Sequence, residues 1–226
     1  AHEQKPAEDY FEQIHTAWGW LPGKLGEVLR AGALRQGKAN VREMYFPEMN
    51  SHFQVATAGA AAAGLGLNYQ YLHCTEFSRW GGDVKQTMAT LTSHLVGQRT
   101  EQVIESRPHG DSGEFHERYW KARRGESDFC AHFYPWWWNP GHVAAVPRNF
   151  SLTEEERSLC RRYQAQLAER PTPCLQPRLT AGQLMWRRGQ ATELADLLGQ
   201  EFAEDEAACF LGSSVEKSKS DVKVNV

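Results

Sequence analysis

The stretch Tyr69-Gln70-Tyr71-Leu72-His73-Cys74-Thr75-Glu76 decides the fold class. Its aromatic and apolar residues suit a buried strand, and it ends on a carboxylate. Val84, Met88, Leu91 and Leu95 then mark one face of a helix. Gln102 to Glu105 makes a second short strand, Phe115, Tyr119 and Ala122 a second helix, and Phe129 to Tyr134 a third strand before Pro135. The order β-α-β-α-β with short connections predicts an α/β fold built on a partial parallel sheet with crossover connections. Ligands of such sheets bind beyond the carboxyl ends of the strands, which points to Glu76 and Ser106.

Upstream, Ala7, Tyr10, Phe11, Ile14 and Trp18 follow helical spacing as far as Gly19, and Leu21-Pro22-Gly23 reads as a turn. Residues Leu25 to Asn50 lack a clean period, and His52 to Thr57 reads as a short strand entering an Ala/Gly loop. Downstream of Phe150 the pattern turns helical. Ser151-Leu152-Thr153-Glu154 has the capping-box form, and Leu152, Leu159, Tyr163 and Leu167 supply one helical face. After the Pro-rich segment Pro171 to Pro177, Thr180 and Gln183 open a further helix in the same way. The polar end from Ser213 has too few apolar groups to offset ordering entropy and is expected to be disordered.

With 226 residues, 41% of them hydrophobic, the chain has room for one domain with a real core and a small appendage. Its longest apolar run, Val55 to Leu67, is shorter than the roughly 20 residues of a membrane helix, so no membrane association is expected. The chain opens on Ala1 without the charged start and apolar core of an export signal, and a cut edge is expected there. Cys74, Cys130, Cys160, Cys174 and Cys209 form no Cys-x-x-Cys pair and read as free thiols of a reducing cytoplasm. A net charge of -3 gives no general attraction to nucleic acid.

Other residues invite chemistry less directly. Trp136-Trp137-Trp138 offers stacking surfaces, with packing against the helical segment the favoured reading. The pairs Arg123-Arg124, Arg161-Arg162 and Arg187-Arg188 suit DNA phosphates or, more commonly, solvated or ion-paired helix surfaces. His109, His116, His132 and His142 lack the short paired spacing of a zinc site. Glu105-Ser106-Arg107-Pro108-His109-Gly110 is either a phosphate-sensing segment or an ordinary turn from strand to helix.

Taken in order, the segments resemble the phage terminase large subunit. The resemblance begins at Ala1-His2-Glu3 and Tyr10-Phe11, and runs through Val55-Ala56-Thr57-Ala58-Gly59 and Leu72-His73-Cys74-Thr75-Glu76-Phe77-Ser78-Arg79-Trp80. It continues with Ile104-Glu105-Ser106, Gly110, Gly113, Phe115-His116, Trp120 and Phe133-Tyr134-Pro135-Trp136. It closes with Leu152-Thr153-Glu154-Glu155-Glu156, Leu179-Thr180, Gln183-Leu184, Trp186-Arg187-Arg188, Gln200-Glu201-Phe202 and Ala208-Cys209-Phe210.

The resemblance implies the later part of a P-loop motor ATPase domain over residues 1–150, a helical linker subdomain over 151–212 and a disordered tail over 213–226. Glu76 would be the catalytic carboxylate of ATP hydrolysis, Thr75 would neighbour Mg²⁺, and Ser106 to Gly110 would couple hydrolysis to movement. ATP and Mg²⁺ would be the cofactors of the intact protein. Double-stranded DNA, the terminase small subunit, the portal protein and further copies in the motor would be the partners, in the cytoplasm of the bacterial host. The sequence departs from the family pattern at Thr75, where Asp would give a charged ligand, and at Leu65, where Arg is expected. It also holds no Gly-x-x-x-x-Gly-Lys-Ser/Thr loop, so the isolated chain is not expected to turn over ATP. The family's nuclease domain would follow Phe210, and DNA cleavage is not expected. The alternative is a non-catalytic prophage remnant or binding module that keeps the fold without binding ATP.

Overall fold

The computed structural model describes residues 3–40, 42–58, 68–169 and 178–211. The Ala/Gly residues 59–67 with Leu65, the Pro-rich residues 171–177 with Cys174, and the tail from Ser213 lie outside the described residues. Two compact units divide the chain, Ala1–Arg107 and Pro108–Val226.

The first unit opens with helix α1, Gln4–Gly19, whose Ala7 and Phe11 are buried, followed by α2, Gly23–Ala31. Next come the short strands β1, Lys38–Ala39, β2, Glu43–Phe46, and β3, Ser51–Gln54, in an antiparallel sheet of order β1-β2-β3. Alternation along β2 sends Met44 and Phe46 inward, where Phe11, Ile14, Trp18, Leu34 and Phe53 pack on them. A 3-10 turn at Pro47–Met49 and a left-handed Asn50 (φ 45°) reverse the chain into β3. Leu25 to Asn50, where the sequence shows no clean period, therefore holds α2 and most of this sheet. The strand read at His52 to Thr57 forms earlier and ends at Gln54.

The deciding stretch forms the expected strand, helix and strand, but its first strand is shorter than read and buried on one face only, with Tyr71 70% exposed. Strand β4, Tyr71–Cys74, leads to helix α3, Val84–Ser93, and then to β5, Glu101–Ile104. Asp83 caps α3 by accepting from Gln86 N–H at 2.9 Å. Strands β4 and β5 pair in parallel, with Tyr71 opposite Glu101 and Cys74 opposite Ile104. Cys74 and Met88, each 1% exposed, and the buried Leu91 pack the inner face between strand and helix.

The second unit holds α4, Glu114–Arg123, α5, Glu154–Glu169, α6, Ala181–Leu194, α7, Leu198–Glu201, and α8, Ala208–Leu211. Phe129 to Tyr134, expected as a third strand, pairs with no other strand. Its residues nevertheless alternate between half-buried and exposed, although none of them forms a strand with another of the described residues. The parallel ladder of the described residues thus comprises β4 and β5, and the architecture is mixed helix and small sheet.

Trp136, Trp137, Leu159, Tyr163, Leu179 and Leu184 form the buried core of this unit, joined by the half-buried Leu152 and Leu167. The helical face read along α5 and the packing role of the tryptophans both appear here. The division after Arg107 precedes the change of character read near Phe150, because Trp136 and Trp137 pack against α5 and α6. The capping box of α5 is formed by Thr153 and Glu156, two residues later than Ser151 and Glu154. Thr153 N–H donates to Glu156 Oε2 at 2.8 Å and Glu156 N–H to Thr153 Oγ1 at 3.2 Å. At α6 the box of Thr180 and Gln183 forms as expected. The cysteines of the described residues, Cys74, Cys130, Cys160 and Cys209, are free thiols. No helix among the described residues is long and apolar enough to cross a membrane.

Candidate functional site at the carboxyl edge of the parallel strands

The ladder between β4 and β5 continues past their ends. Glu105 N–H donates to Cys74 O at 2.9 Å, and Phe77 N–H donates to Glu105 O at 3.2 Å. Between these bonds Glu76 takes the left-handed conformation (φ 51°, ψ 39°). A non-glycine residue held there costs on the order of 1–3 kcal/mol and persists only where its surroundings fix it. Phe77, 1% exposed, anchors the following 3-10 turn, Phe77–Arg79, and stacks near Trp80 with ring centroids 4.8 Å apart. Trp80 Nε1 donates to Thr75 O at 3.0 Å. Buried apolar groups on one side and ladder bonds on the other therefore force the carboxylate-bearing residue into a tight corner.

The Glu76 side chain remains 38% exposed, with Arg79 Nε 3.6 Å from its carboxylate. An exposed pair at that separation contributes little to stability. Glu105 lies beside it, half exposed, with His73 Nε2 3.9 Å away. Burial first and the Glu76 charge second raise the Glu105 carboxyl above its ordinary range, while the Glu76 backbone N–H opposes the shift. Burial lowers the His73 imidazole. Tyr10 Oη lies 3.4 Å from His73 Nδ1.

Ser106 follows directly. Its Oγ accepts from Ser78 N–H at 3.1 Å and lies 2.7 Å from Ser78 Oγ, which in turn donates to Arg107 O at 2.7 Å. Thr75, Glu76 and Ser106 thus leave one strand edge, and Ser78 ties the two sides together. Gly110, with φ 86°, belongs to the second unit.

Mg²⁺ takes oxygen ligands, commonly one or two carboxylates with the rest from water and substrate phosphates. Among the described residues no group of three His, Cys, Asp or Glu is gathered to hold a metal. The Thr75 hydroxyl is an oxygen donor of the neutral kind and supplies no charge to such an ion.

Ser78, Arg79, Glu105 and His73 join the site without having been singled out from the sequence for these roles. Glu105 stood in plain view at the end of its strand, and a second acid at a strand end beside Glu76 was the available signal. The arginines are engaged elsewhere in ion pairs: Arg123 with Glu206, Arg124 with Glu126, Arg161 with Glu154, Arg162 and Arg187 with Glu204, and Arg188 with Glu156. His142 stacks on Trp186 at 4.1 Å, and Trp136 and Trp137 are buried in the core. No protein-family model, curated protein or solved structure gives a significant match to the chain.

Proposed function

We propose that the chain is part of the ATP-hydrolysing motor of a phage terminase large subunit, which drives double-stranded DNA into a procapsid. The observation that supports this reading is the parallel pairing of β4 with β5, from which Glu76 and Ser106 emerge at the same carboxyl edge. A half-exposed carboxylate there suits a group that orients an attacking water and takes its proton. Thr75 would stand beside Mg²⁺, through its hydroxyl or a water, and the ion would supply positive charge at the nucleotide phosphates. Ser106 answers to changes at the phosphates, and Gly110 belongs to the segment that passes them on. The small subunit, the portal protein and further copies of the motor subunit are its partners in the cytoplasm of the host.

The decisive experiment uses an intact terminase containing this segment. Glu76→Gln should lower ATP turnover by roughly 10²- to 10⁴-fold while leaving ATP binding in place. Unchanged turnover removes Glu76 from catalysis and the reading with it. A binding module is the second reading, favoured by the lack of a complete Gly-x-x-x-x-Gly-Lys-Ser/Thr loop in these 226 residues. The motor piece alone should show no ATP binding, yet DNA packaging by the intact terminase should fail with Glu76→Gln. Normal packaging by that variant favours the module.

A further inference from the structure

Glu76 shares positive φ with two other non-glycine residues, Asn50 and Ala195. Asn tolerates the left-handed region through its short polar side chain, whereas Glu has no such ease. The corner at Glu76 is held by three ties. Two are to the backbone: Phe77 N–H to Glu105 O, and Trp80 Nε1 to Thr75 O. The third joins side chains across the strand ends.

A hydroxyl carries a single proton. That of Ser78 goes to Arg107 O, so the 2.7 Å contact between the two hydroxyls is made by the proton of Ser106. Ser78 N–H closes the ring by donating to Ser106 Oγ at 3.1 Å. Both hydroxyl protons are therefore committed within the pair and its neighbouring carbonyl.

We propose that Ser78 and Ser106 form a latch that positions Glu76 by holding the 3-10 turn on which the strained corner depends. Ser78 is a positioning residue, acting through Glu76. The catalytic consequence rests on the motor reading, but the latch itself does not.

Amide exchange at Phe77 and Arg79, whose N–H groups do not touch either hydroxyl, reports the latch in the full chain. Ser78→Ala should speed it about tenfold, the loss of a hydrogen bond in a half-buried place, with Ser78→Thr restoring protection. Ser106→Ala removes the same bond from the other side and should give the same result should Ser78→Ala fold poorly. In a Glu76→Gly background the corner is unstrained, and Ser78→Ala should then matter by roughly twofold or less. Equal acceleration in both backgrounds, or none in either, overturns the latch. In an intact terminase, Ser78→Ala should lower kcat without changing KM, and Ser78→Thr should recover it. Full kcat in Ser78→Ala beside a dead Glu76→Gln overturns the positioning role. An active Glu76→Gln instead overturns the motor reading and leaves the exchange cycle to decide the latch.

Discussion

Glu156 in the second unit and Glu105 in the first are carboxylates in partly shielded places, pushed in opposite directions. The Arg188 guanidinium grips Glu156, 2% exposed, and holds its carboxyl below the usual range, with Thr153 N–H assisting. Glu105 meets burial and a second negative charge from Glu76, and rises. The same contrast runs through both regions. Arg187 is buried against Glu204, which also accepts a hydrogen bond from Trp136 Nε1 at 3.0 Å, so charge in the helical core is matched inside the fold. At the strand edge, like charges gather half exposed around a strained residue. Matched charge of the first kind specifies structure, and gathered charge of the second kind is what a reaction can use.

The sharpest test of the structural role of the second unit is at Leu159, 0% exposed among tryptophan and tyrosine rings. Leu159→Ala should destabilise by about 2–5 kcal/mol, read from the denaturation midpoint, and a cost below about 1 kcal/mol would mean this is not a packed core. Next in size, Glu204→Gln takes away one of the two carboxylates paired with the buried Arg187, leaving Glu155 at 2.8 Å, and should cost about 2 kcal/mol by the same measurement. A loss no larger than that of an exposed pair would dissolve the contrast between the regions. Thr180→Ala removes the cap of α6 and should cost about 1 kcal/mol, while Thr180→Ser should be nearly neutral.

Acid gives the smallest and most diagnostic effect. The folded Glu156 carboxyl lies below its ordinary 4.5, so its contribution is present above that pH and is lost as pH falls through the folded value. Glu105 lies above 4.5, so its contribution is full below that pH and is lost as pH rises through the raised value. Residue-resolved exchange over the carboxylate range should show acid weakening the second unit through Glu156 and strengthening the first through Glu105. Glu156→Gln and Glu105→Gln should each flatten one slope. His73→Gln is the background for the latter, because the lowered imidazole also favours the neutral form. Slopes of the same sign would erase the comparison.

The sequence disclosed β4, α3 and β5 because an apolar run and a helical face each carry their own period. Phe129 to Tyr134 carries a strand's period too and still forms no strand. Alternation records which side is buried, whereas pairing depends on a neighbour that the local sequence does not contain. Of the β1-β2-β3 sheet β3 was read, whereas β1 and β2 were missed although Met44 and Phe46 alternate and Pro47 to Asn50 signals a turn, because each strand is very short. Glu76 and Ser106 were legible as strand ends. Their link through Ser78 was not, since Ser78 lies four residues past Cys74 and Ser106 two past the paired Ile104. Only the contraction of the chain at the left-handed Glu76 brings those unequal offsets together.

That left-handed corner sets stability and chemistry against each other at one codon. A library randomised at position 76 and selected for resistance to heat or protease should enrich Gly and Asn, which accept the backbone at little cost. On the proposed motor reading, the same library carried in an intact terminase and selected for packaged genomes should return Glu. The distance between the two winning pools would measure how much thermal robustness is given up to aim one carboxylate.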